Sequence, residues 1–154
     1  MASSGSIRSE IDAKKGEIKG CQGEIKALEK EIEEMREIIG NYKECKGDFL
    51  DQRNQDKEEM AKKQEEFQGN VYDSRYQPLI ERHSSSYHGI LTGLDLDVFS
   101  LNQEIFKRQQ QIRALKQKIV SLEGDINSLE ADYDAAVARE KAEEEERRRA
   151  EEEY

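Results

Sequence analysis

The chain of 154 residues has no tryptophan, one proline, two cysteines and only 6% aromatic residues. A compact domain of this length normally carries more aromatic and apolar mass, so a sizeable globular core is excluded. With a single proline, nothing stops long helices from running on. Nowhere is there a run of about 18 apolar residues of the kind that spans a bilayer, and the opening MASSGSIRSE has no apolar stretch behind a basic start, so neither an anchor nor a conventional signal peptide is expected. The cysteines, Cys21 and Cys45, lie 24 residues apart, about 36 Å along one helix, too far to bridge within it. This points to a reduced, cytoplasmic protein. A Cys21 to Cys21 bond between parallel chains stays open.

What is present is charge. Charged residues make up 39% of the chain, and 35 acidic against 25 basic residues give a net charge of −10. Phosphate backbones and anionic lipid surfaces are repelled by that balance, so neither nucleic acid nor a membrane surface is expected as a partner, and without an apolar run no membrane insertion is expected. Abundant Glu, Lys, Gln, Leu and Ile read as all-α, in long helices or coiled coil.

Apolar residues alternating at spacings of three and four line one helix face, the a and d positions of a heptad. The first series includes Ile7, Ile11, Ile18, Cys21, Ile25, Leu28, Ile32, Met35, Ile39, Tyr42 and Phe49, and then thins through Arg53, Asp56, Met60 and Phe67. A second runs from Ile80 through Ser84, Tyr87, Leu91, Leu94, Val98, Leu101, Ile105, Arg108, Ile112, Leu115, Ile119, Leu122, Ile126, Leu129 and Tyr133 to Ala136, with only Ser84 and Arg108 strongly polar. The glycines at 16, 20, 23, 40, 47, 89, 93 and 124 fall at b, c or f, so they weaken the helices without interrupting either stripe.

The stretch EEFQGNVYDSRYQP separates the two series. Gly69-Asn70 can end a helix, Asp73 or Ser74 can cap the next, and Pro78 follows about one turn later. The expected organisation is a disordered N-terminus (1–6), one helical-hairpin domain (7–137: helix 7–67, turn 68–73, helix 74–137) and a charged tail (138–154). The tail sets Glu143 to Glu145, Arg147 to Arg149 and Glu151 to Glu153 four apart, so it is helical or frayed. Its functional alternative is a docking tail.

In an antiparallel pair an a position faces a d position, so facing residue numbers sum to a constant. The two phases allow 140 or 147. The sum 140 pairs Ile25 with Leu115 and Phe49 with Leu91, brings polar residues together near the turn, and is preferred. Arg108 fits neither comfortably; its stem would lie along the seam with its head in water. The competing arrangement is a parallel dimer of the whole chain, favoured by Ile at a and Leu at d over Ile112 to Leu129.

Chemistry is sparse. His83 and His88 are five apart and share no face well enough for a metal site, the cysteines have no ligand-spaced neighbours, and no nucleophile grouping or phosphate loop is present. No catalytic residue, metal or cofactor is expected, and the chain is not read as an enzyme. One feature exceeds what a hairpin needs: Leu96, Phe99 and Phe106, at f, b and b, face away from the seam, with Val120 further along the b column. These four are the candidate partner-binding residues, a docking face for helices of a second copy or another protein.

A helical hairpin whose turn reads aromatic-x-Gly, here Phe67-Gln68-Gly69, in a small acidic chain, resembles the WxG-type proteins of Gram-positive type VII secretion. It is most similar to the small accessory proteins encoded beside LXG toxins. The resemblance implies Phe67 and Gly69 as the turn motif and a chaperone-like targeting role, binding the helical N-terminal domain of a toxin, with a second small helical protein as a further partner and export alongside the partner without a cleaved signal peptide as a further route. A homodimer is a further arrangement it allows. Phe stands where the family has Trp, Arg75 stands where a later aromatic is common, and Val137 follows Tyr133 by four, so the C-terminal Tyr-x-x-x-Asp/Glu signal is missing. The alternative function is structural, a self-associating parallel coiled coil unrelated to secretion.

Overall fold

A computed structural model describes residues 2–66 and 77–153. They form two helices, α1 (Ser4–Glu66) and α2 (Gln77–Glu152), packed against each other, with no strand among the described residues. The turn expected over 68–73, with Phe67, Gly69 and the capping residues Asp73 and Ser74, lies outside them. Pro78 is the second residue of α2, where its missing N–H costs no helical hydrogen bond. The charged tail is helical as far as Glu152.

The helices pack in two compact units, one built from α1 up to Glu29 with α2 from Gln109, the other spanning Lys30–Arg108. In the first unit Ile7, Ile11, Ile126 and Ala136 form a buried cluster with Ile18, Leu129 and Tyr133 against it. Ile11 is fully enclosed, a burial that contributes about 1.5–3 kcal/mol. Cys21, Ile112 and Leu122 are buried as well, and Ile25, Leu28, Leu115 and Ile119 half-buried. In the second unit Ile32, Ile39, Tyr87, Leu91 and Ile105 are buried, with Phe49 and Leu101 half-buried. The stripes read from spacing are therefore the faces through which the helices meet.

Cross-helix contacts give the register of each unit. In the first, Lys14 pairs with Asp125 at 3.6 Å and Arg139 donates to the Ala2 carbonyl at 3.2 Å. In the second, Lys46 pairs with Asp95 at 2.8 Å, Asp56 with His83 at 2.7 Å and Glu31 with Arg108 at 2.7 Å. Each pair sums to within one of 140. Other contacts scatter within four of that value: Tyr87 reaches Asp56 and lies edge-on to Phe49, and Ser4 reaches Glu140.

The N-terminal end departs from the expectation that 1–6 are disordered. Helix α1 starts at Ser4, because the Ser3 hydroxyl accepts from the Ser6 amide at 3.2 Å and the Ser3 carbonyl takes the first helical bond, from Ile7. Across the seam the Glu140 carboxylate accepts from the Ser4 amide at 3.0 Å and from its hydroxyl at 2.7 Å. A carboxylate satisfying free N–H groups at a helix start, where the dipole is positive, holds that end in place. Apolar content gave no sign of this polar anchor.

Glycines at 16, 20, 23, 40, 47, 89, 93 and 124 lie inside the helices, and a Cβ added at any of them would meet nothing within 4 Å. Their cost, roughly 1 kcal/mol each against alanine, has no compensating contact within the chain.

Two predictions follow from this packing. Cysteines replacing Ile25 and Leu115, in a background lacking Cys21 and Cys45, should crosslink within one chain on oxidation, and bonds forming only between chains would refute the antiparallel pairing. Replacing Gly16 and Gly47 by alanine should raise the thermal midpoint, each by about 1 kcal/mol of stability, as measured by circular dichroism.

Candidate functional site

The most exposed large apolar residues left by the seam, Leu79 apart, sit on the far side of α2. In the second unit Leu96, Phe99 and Phe106 remain 61%, 59% and 60% exposed. Spacings of three and seven place them on one face, Phe99 and Phe106 almost in line, because seven residues make nearly two whole turns. Val120, in the first unit, is 68% exposed. The structure thus brings Leu96, Phe99 and Phe106 together on one unit, while Val120 belongs to the other. Spacing analysis passed over Leu79, Ile90 and Ile38, also exposed; Ile38 and Ile90 each adjoin a seam residue, Ile39 and Leu91, and sit at its edge.

The second unit is held by polar groups within its seam. Asp56 occupies a seam position, and its carboxylate accepts from Tyr87 Oη at 2.9 Å and Gln52 Nε2 at 3.1 Å, with His83 Nε2 at 2.7 Å. The His83 ring stands edge-on to Tyr87, 4.9 Å between centroids, and Phe49 is also edge-on to Tyr87 at 6.1 Å. The hydrogen bond with His83 above all, then those from Tyr87 and Gln52, holds the Asp56 carboxyl below its ordinary value of 3.8, while the partial burial and neighbouring carboxylate push the Tyr87 phenol up. His83 is thus a partner of Asp56 and not a free surface histidine.

Arg108, the cation in the apolar stripe, is answered from both helices. Its Nε donates to Glu31 on α1 at 2.7 Å and its Nη1 to Glu104 on α2 at 2.8 Å. Its side chain is 23% exposed, so the head is fixed between carboxylates as well as wetted. Hydrogen bonding to Arg108, then to Lys107, lowers the Glu104 pKa; bonding to Glu31 and Glu104 raises that of Arg108. Arg53, also in the seam, keeps a buried Nε without a hydrogen-bond partner, a local cost.

Other surfaces are less suited to binding. In the first unit Ala27 and Ala114 are too small to cover Leu28 and Leu115, leaving an open groove of about 510 Å³ also lined by Glu24 and Gln111. It carries no aromatic anchor, and aromatic side chains supply most hot-spot energy at interfaces. Cys21 is buried and Cys45 half-buried, both unbonded, and they belong to different units. No group of three or more His, Cys, Asp or Glu side chains among the described residues could hold a metal ion, and no helix among them is long and apolar enough to cross a membrane.

No family model, curated protein or solved structure matches the chain. The candidate site is therefore weighed on its own residues.

The polar seam carries a pH signature. Asp56, with its pKa lowered on folding, contributes stability that is present above the unfolded value of 3.8 and is lost as pH falls through the lower folded value. Glu104 and Glu140 act in the same direction from an ordinary value of 4.5. The thermal midpoint should therefore fall as pH drops below about 4, and Asp56→Asn should lose less over that interval than the wild type, measured by circular dichroism melts.

Proposed function

We propose that this chain is a non-enzymatic partner protein, a helical hairpin whose outer α2 face binds a helix of another protein. In its specific form the partner is the helical N-terminal domain of a toxin exported by type VII secretion, and the chain is its chaperone-like targeting subunit. The observation that carries the proposal is the exposure of Leu96, Phe99 and Phe106, three large apolar side chains on one face that the hairpin leaves about 60% open. Solvent exposure of scattered leucines is ordinary; two phenylalanines a heptad apart beside a leucine make a strip that matches the apolar face of an amphipathic helix. Burial of such anchors gives most of the energy of a helix-on-helix interface. In the toxin case it would also shield an apolar segment and complete a composite export surface.

The type VII form draws on the Phe67-x-Gly69 resemblance and on the hairpin architecture. The alternative, a parallel self-associating coiled coil, needs the same Ile, Leu and Phe residues that α1 and α2 spend on each other.

Phe99→Asp together with Phe106→Asp should abolish capture of a helical toxin domain encoded beside this chain, with far-ultraviolet circular dichroism unchanged. Undiminished capture by the double variant would remove the outer face from the proposal, and loss of helicity would make the two rings part of the fold itself.

A further inference from the structure

The outward columns of the two helices differ in charge, and the difference selects an occupant for the outer α2 face. On α1 of the second unit the column opposite the seam reads Glu33, Glu37, Gly40, Glu44, Gly47, Asp51, Asn54 and Glu58, all exposed, with five carboxylates and no cation. On α2 the equivalent column reads Ser85, Gly89, Thr92, Leu96, Phe99, Gln103 and Phe106. In a chain that is 39% charged, this second stripe holds no charge and keeps the three-four spacing of a heptad seam. Helix α2 therefore carries two seams, of which the hairpin uses one.

We propose that a second copy of this chain covers that stripe, α2 against α2 in antiparallel orientation about a twofold axis. A twofold contact must be self-complementary, and between Gly89 and Phe106 one register satisfies this. The register that sets Leu96 on Phe99 of the other copy also sets Phe106 on Gly89 and Thr92 on Gln103. By symmetry each contact occurs twice, so two leucines and two phenylalanines meet at the centre, with a ring over a glycine on either side. Space for that ring exists: a Cβ on Gly89 would meet nothing within 4 Å, and the intramolecular fold gives this glycine no other use. Flanking positions bring Asp95 to Asn102, Gly93 to Ser100 and Ser86 to Lys107, with no like charges opposed among them; beyond them the same register sets Arg82 on Arg113, the two cations that end the uncharged stripe. Two chains of charge −10 would meet carboxylate on carboxylate through the outer column of α1, so the uncharged stripe is the face on which they can approach.

The dimer shares its surface with the partner proposed above and does not rest on it; a helical partner would take the place of one copy. Its test uses the purified full chain alone, so loss of toxin capture leaves it standing, and its own failure leaves capture untouched. Light scattering should give about twice the 17.8 kDa chain mass. Gly89→Leu, which improves helix propensity but fills the space for Phe106, should give a monomer with helicity kept or raised. In a background without Cys21 and Cys45, Gly93→Cys and Ser100→Cys chains should crosslink when mixed, and neither should do so alone. A wild-type monomer at micromolar to millimolar concentration, a dimer indifferent to Gly89→Leu, or self-crosslinking of the Gly93→Cys chain, as a parallel pair requires, would each overturn the proposal.

Discussion

Everything in this molecule depends on two apolar stripes finding each other in antiparallel register. Helical propensity alone does not hold such helices in water when exposed glycines interrupt them; burial of a shared face does. Ile11, Ile32, Ile39, Leu91, Ile105, Ile112 and Leu122 lie within that face, and every other feature is placed by it. The outward direction of Phe99 and Phe106 follows from the inward direction of Val98, Leu101 and Ile105, since a helix cannot turn one without turning the others.

Within this arrangement the two units solve the seam differently. The first buries an aliphatic cluster around Ile7, Ile11 and Ile126 and uses polar groups mainly at its rim, as in Lys14 with Asp125 and Arg8 over the Tyr133 ring at 5.9 Å. The second admits Lys46, Arg53, Asp56 and Arg108 into seam positions and matches three of them with partners across or along the helices. Such pairs add little net energy at a half-exposed seam, yet they penalise displaced registers, in which a carboxylate or guanidinium would face an apolar residue. Specificity in this unit comes from polar matching, and stability in the other from aliphatic packing.

The legibility of this structure in its sequence is uneven for a physical reason. Heptad spacing determines which way a side chain points, so the all-α class, the stripes and the outward Leu96, Phe99 and Phe106 could be read from residue positions. Residues such as Phe49 and Leu91 also allowed the register to be weighed, because only certain sums bring a to d. Spacing says nothing of which carboxylate answers a given cation. Glu31 and Glu104 are two among many acidic residues, and their engagement with Arg108 depends on rotamers that periodicity does not determine. The same holds for His83 on Asp56. At the N-terminus, Ser3, Ser4 and Glu140 form an anchor from small polar residues distant in sequence, invisible to any measure of apolar content. Of the proposed function, the exposed face was legible, and the identity of what docks there was not, since apolar faces of many helices share one chemistry.

The anchor between Ser4 and Glu140 also decides how this chain responds to mechanical load. Ala2 and Ser4 lie beside Arg139 and Glu140, so a pull that separates α1 from α2 at this point acts across the seam and not along it. Force applied in that direction loads one rung at a time: the Ser4 bonds first, then the Ile7 and Ala136 layer, then Ile11. A ladder opened from its end yields at far lower tension than one sheared along its length, because the contacts never share the load.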